Sequence, residues 1–173
     1  ATTGRPGDIT AAGDAVIRAD GLTLRIANPA GEASGGAVRL AGGAPHQVAR
    51  LTIAPPTGEG TVGTIPRAEF ANAFDLALVA PAAGGAAIAA DAVALFVGGR
   101  LTLAAPVVAG FGADTGAVGA PVTSILVNAG ALTNSAGAAA LRPGTGRFLV
   151  YSGVPAQDRL GGLAGAVIEG ATL

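Results

Sequence analysis

Asp8, Asp14, Asp20, Asp75 and Asp91 are the side chains of this chain best suited to chemistry. Two carboxylates flanking a sugar bond at about 5–9.5 Å can cleave it, one as the acid and the other as base or nucleophile. An Asp cluster holding calcium beside an Arg base would suit a polysaccharide lyase. Asp8, Asp14 and Asp20 recur every six residues, a spacing that turn corners also explain, because Asp hydrogen-bonds the local backbone there. The single histidine, His46 in Pro45-His46-Gln47, has no partner for a His cluster and reads as a surface loop residue.

Other chemistries are excluded by what the chain lacks. Without Lys there is no Walker A loop, Schiff base or Lys base. Zero cysteines remove disulfides, thiolate metal sites and Cys nucleophiles. No Gly-x-Ser-x-Gly elbow occurs. Gly110-Phe111-Gly112-Ala113-Asp114 imitates half of a calcium-binding nonapeptide, but it is unrepeated and reads as a plain turn. The expectation is a non-enzyme with no catalytic residue, cofactor or metal.

Composition narrows the elements that could position such residues. The 173 residues suffice for one domain. Half are hydrophobic, yet aromatics make up only 3% and Met and Trp are absent, so the core must be thin layers of Val, Ile, Leu and Ala. A net charge of −1 with singly scattered arginines gives no footprint for nucleic acid. Mean hydropathy is +0.57, but the longest apolar stretch, 86–97, contains Asp91 and is shorter than the roughly 20 residues of a membrane-spanning helix. One Tyr and five Phe cannot build the two aromatic girdles of a transmembrane barrel. No membrane insertion is expected.

The recurrent unit is a short alternating run closed by Gly, Pro, Asn or Asp. Leu22, Leu24 and Ile26 alternate with Thr23 and Arg25, and Val38-Arg39-Leu40, 48–53 and 100–103 repeat the scheme. This is the period of strands with one buried face. Leu22, Leu24, Ile26, Val38, Leu40, Leu51, Ile53, Leu101 and Leu103 should point inward. Gly-Asp-Ile-Thr at 7–10 and Gly-Arg-Leu-Thr-Leu at 99–103 are loose variants of one phrase, which points to stacked coils. The expected fold is all-β, a right-handed parallel β-helix (β-solenoid) of roughly seven rungs with loop excursions at 55–66 and 109–121. An antiparallel β-sandwich is the alternative, although its core about 10 Å thick calls for larger inward residues. Thr23, Arg25, Arg39, Arg50, Thr52, Arg100 and Thr102 should face outward, either as a surface-contact ladder or simply as a solvated face.

The stretch Gly146-Arg147-Phe148-Leu149-Val150-Tyr151-Ser152, followed by Pro155, Asp158 and Leu160-Gly161-Gly162-Leu163, resembles a junction in filamentous-haemagglutinin-like, two-partner-secreted bacterial exoproteins, where a β-helical shaft ends. The resemblance implies that 1–151 are shaft and 152–173 a terminal turn and the start of a following segment within the same domain. It implies secretion to the bacterial cell surface through an outer-membrane partner transporter. The role would be structural, with a glycan or a host or neighbouring-cell surface ligand bound through the parent protein.

Phe148, Val150 and Tyr151 form the expected cap motif, closing the last rung before Pro155 and Gly161-Gly162 turn the chain off the shaft. Two other readings stay open: a carbohydrate-active β-helix enzyme, if the carboxylates converge in a groove, and a filament subunit that self-associates end to end through strand edges.

Overall fold

The computed structural model describes residues 8–11, 14–25, 36–54, 65–82, 84–110, 123–163 and 167–169. They form a parallel β-solenoid. In chain order its strands are β1 (Ile9–Thr10), β2 (Arg18–Ala19), β3 (Leu22–Arg25), β4 (Val38–Leu40), β5 (Gln47–Val48), β6 (Arg50–Ala54), β7 (Arg67–Asn72) and β8 (Leu76–Leu78). Then follow β9 (Ile88–Ala89), β10 (Ala92–Leu103), β11 (Val107–Val108), β12 (Thr123–Asn134), β13 (Leu141–Arg142), β14 (Arg147–Ser152) and β15 (Val167–Glu169). The only helical element among the described residues is a single 3-10 turn at Pro155–Gln157.

Every strand pairing among the described residues is parallel. One face stacks β1, β4, β7, the first half of β10, the first half of β12, β14 and β15. A second face stacks β3, β6, β8 and the second halves of β10 and β12. A third carries β9, β11 and β13, joined through Ile53 of β6. Parallel neighbours cannot be joined by a tight hairpin, and here the rest of each coil is the crossover.

Stacking is like on like. Leu40, Phe70, Leu95, Val127 and Val150 follow one another in register, as do Leu51, Leu78 and Leu103 and Ile53, Ile88, Val107 and Leu141. All are buried. Burying each such side chain is worth about 1.5–3 kcal/mol, and a one-residue slip would turn the row to solvent. Period-two alternation therefore fixes the register. Of the expected inward set, Val38, Leu40, Leu51, Ile53, Leu101 and Leu103 are buried, while Leu22 and Leu24 are half-buried against the core. Ile26 and most of the two expected excursions lie outside the described residues.

Glycine makes the corner between the first two faces. Val97 pairs with Ala129 and Arg100 with Ala131, so Gly98 and Gly99 oppose the single Gly130 in a β-bulge. The bulge lets β10 and β12 pass from one face to the next without a loop. Its backbones are too close for side chains: a Cβ on Gly130 would lie 2.7 Å from the Gly98 carbonyl oxygen, and one on Gly98 would overlap that of Ala73.

The terminal motif differs from its expected role. Val150 is fully buried, but Phe148 and Tyr151 are only half-buried. The rung is not the last, because Val167–Glu169 pair with Val150–Ser152 and so occupy the strand edge that a cap would have covered. Nor does the chain leave the solenoid at Pro155. Arg159 bridges to Thr133, its N–H donating to the Leu132 carbonyl at 2.8 Å, and Leu163 is buried.

The corner yields a test. Gly130→Ala should lower unfolding free energy by about 1–3 kcal/mol in urea titration. Gly21→Ala, where an added Cβ meets nothing within 4 Å, should change it by less than about 0.5 kcal/mol. Equal effects would show that the corner is not tightly packed.

Candidate functional site

Polar side chains at the turns work mainly as fasteners between coils. Asp8 Oδ1 accepts the Ala37 N–H at 2.9 Å, Asp75 Oδ1 that of Arg100 at 2.8 Å, and Asp158 Oδ1 that of Leu132 at 2.7 Å. Asp158 Oδ1 also accepts the Ser152 hydroxyl. Asn72 accepts the Val48 N–H and donates to the Val48, Phe74 and Asp75 carbonyls. Asn134 accepts the Ala136 N–H and donates to the Gly137 and Leu160 carbonyls. Asn72 and Asn134 are both buried, and an unmade bond at such a site costs about 1–3 kcal/mol. Sequence reading missed both asparagines; each is the last residue of a strand, and Asn as a turn former after alternating residues is the available signal.

His46 is buried instead of lying in a surface loop. Its backbone is pinned by the Ala71 carbonyl and the Ala73 N–H, its ring lies 5.3 Å from that of Phe70, and Nδ1 accepts the Ile17 N–H at 3.2 Å. Desolvation by burial lowers its pKa below the usual 6.5. Accepting at Nδ1 likewise requires the neutral ring.

The expected outward set divides between faces. Thr23, Arg25, Arg39 and Arg50 are exposed, and Arg100 and Thr102 half-exposed. Thr52 is buried, since its hydroxyl donates to the Val79 carbonyl at 2.8 Å. Arg39 lies on the first face, in the row of Thr10 and Glu69, and pairs with Asp8 at 3.4 Å. The others lie on the second, where Thr23 stacks on Thr52, Arg25 on Ala54, and Arg50 and Thr102 flank Ala77. They do not form one continuous ladder. Arg100 is committed to other coils, donating to the Thr133 hydroxyl and to both the carbonyl and side-chain oxygens of Gln157.

The fold brings together three adjoining surface depressions that share lining residues and follow the corner between the first two faces as a shallow groove. One section, about 530 Å³, is lined by Arg18, Asp20, Gln47, Phe74 and Asp75. Asp75 also lines the next, with Gly98, Arg100, Val154 and Gln157, and Gly98 and Gly130 continue into a third beside Phe96 and Asn128. Phe74, 62% exposed, and Val154 are the exposed large apolar side chains of the described residues, and both lie on this groove. Two of the candidate carboxylates, Asp20 and Asp75, meet in its first section. Asp8 is held by Ala37 and Arg39 elsewhere, and Asp14 and Asp91 do not line the groove. No group of three potential metal ligands occurs among the described residues.

Phe74 was hidden in the sequence because it shares parity with Leu76 and Leu78, which point inward. A bend at Ala73–Phe74 breaks the alternation, and the preceding Asn72 marks that turn. Compared with known proteins, the chain matches no family model, no curated protein and no solved structure.

The His46 pocket yields a pH test. Below pH 6.5 the unfolded chain binds a proton that the folded pocket resists, so the stability of the native state should fall as pH drops beneath that value. Unfolding midpoints at pH 7 and pH 5.5 should therefore differ, and His46→Gln should remove most of the difference. An identical pH slope in both proteins would contradict the buried neutral ring.

Proposed function

We propose that this chain is a structural, non-enzymatic shaft segment of a secreted bacterial surface adhesin, serving display and adhesion. The observation that carries this reading is the in-register stacking along one axis, in which each coil needs only its neighbours and length grows without redesign of the core. The coil-to-coil use of Asp8, Asp75 and Asp158 supports it, because these carboxylates hold backbone instead of being reserved for a substrate. The proposed surface location and partner transporter rest on the sequence resemblance of 146–163 to filamentous-haemagglutinin-like exoproteins alone, since the solenoid continues through this stretch instead of ending at it.

A specific observation favours a second reading, a carbohydrate-active enzyme: Asp20 and Asp75 share one groove section with an exposed aromatic ring. Both carboxylates are exposed, whereas a sugar-cleaving acid ordinarily has its pKa raised by an apolar pocket. The structural reading is therefore preferred.

Two measurements separate the readings. The purified chain should release no product from a panel of plant, bacterial and animal polysaccharides, with or without calcium; turnover abolished by Asp75→Asn or Asp20→Asn would establish the enzyme. Antibodies against the chain should label intact cells of the source bacterium, and labelling only after permeabilisation would contradict surface display.

A further inference from the structure

We propose that the corner groove binds a neutral glycan chain, with Phe74 as its stacking platform. This deepens the adhesive part of the reading above and rests on it, whereas the shaft reading does not depend on it.

The occupant follows from the chemistry of the groove. A ring that is 62% exposed in a chain with five Phe presents an apolar face, and sugar rings offer C–H faces of matching size. Around it stand groups that accept or donate hydrogen bonds to hydroxyls. Asp20 and Asp75 supply carboxylate oxygens. Arg18 Nε donates to Gln47 Oε1 at 3.1 Å, which leaves the Gln47 amide N–H groups and the rest of the guanidinium for a ligand. Apolar platform plus convergent polar groups is the usual composition of a small-ligand site.

Polyanions and peptides fit less well. Arg18 is matched by Asp20 and Asp75 in the same section, so no positive field gathers sulfate or uronate groups. A peptide that binds by strand addition needs an unpaired sheet edge, and one that binds as a polyproline helix needs a groove lined by several aromatics, whereas Phe74 is the one aromatic of its section. Along the corner the backbone groups already bond between coils: the Ala73 N–H donates to the His46 carbonyl at 2.7 Å and the Gly153 N–H to the Ala129 carbonyl at 2.9 Å. A glycan needs no such edge. The groove also continues past Gly98 and Gly130 toward Phe96 and Asn128, a course suited to a linear chain crossing several coils.

The experiment titrates the intact chain with neutral glucan, mannan, galactan and chitin oligosaccharides of increasing length, and with a sulfated oligosaccharide, by calorimetry. At least one neutral series should bind saturably, with affinity rising with chain length. Phe74→Ala should weaken that binding about tenfold with an unchanged unfolding midpoint, as expected of an exposed residue. Saturable binding by none of the neutral series, binding by the sulfated probe alone, or equal affinity in Phe74→Ala would overturn the proposal. Each of these results leaves an all-β circular-dichroism spectrum and the surface-labelling outcome unaffected, so failure of the site is distinguishable from failure of the shaft.

Discussion

Backbone hydrogen bonding parallel to the solenoid axis is the constraint on which the rest of the structure depends. Each strand must meet the strands above and below in parallel register, so every position along a coil is repeated by its partners in the adjacent coils. Inward rows become columns rich in Leu, Ile and Val, and Phe70, the one fully buried aromatic among the described residues, sits between Leu40 and Leu95. Except at the bulge that carries β10 and β12 through their corner, the turns between strands need the ladder completed by something other than a strand. Here Asp and Asn side chains complete it, and glycines bring backbones close enough to bond.

That division explains why the carboxylates are poor evidence of catalysis. Asp8, Asp75 and Asp158 each accept a backbone N–H from an adjoining coil, a bond to a charged group worth about 1.5–3 kcal/mol. A residue so engaged can still present its second oxygen to a ligand, as Asp75 can in the groove. Coil fastening and the candidate site thus share one corner: the glycine bulge that turns β10 and β12 lines two sections of the groove, and the bend at Phe74 places a ring in the section that adjoins them at Asp75.

The fold was legible in the sequence to the extent that alternation signals it. The Leu22–Leu24, Val38–Leu40, 51–53 and 101–103 pairs identified strands and their buried parity, and small apolar residues with few aromatics pointed to narrow stacked coils. Features requiring knowledge of a neighbour in space were not legible. Thr52 has outward parity yet is covered at Val79, and His46 looks like a loop residue until Phe70 and Ile17 close around it. Phe148 and Tyr151 looked like a cap because the pairing of Val150–Ser152 with 167–169 has no local signal. The groove was equally hidden, since its residues from Arg18 to Gln157 meet only after coils stack.

Register can be tested directly because the chain has no cysteine. Thr102 and Thr133 are paired on the second face, and strand neighbours about 4.8 Å apart fall within the range that a disulfide spans. In Thr102→Cys/Thr133→Cys, mild oxidation should give an intramolecular disulfide, identified by mass spectrometry. Thr102→Cys/Leu132→Cys, displaced by one residue and therefore on opposite sides of the sheet, should not cross-link. Cross-linking of the displaced pair with none in the matched pair would contradict the in-register parallel solenoid.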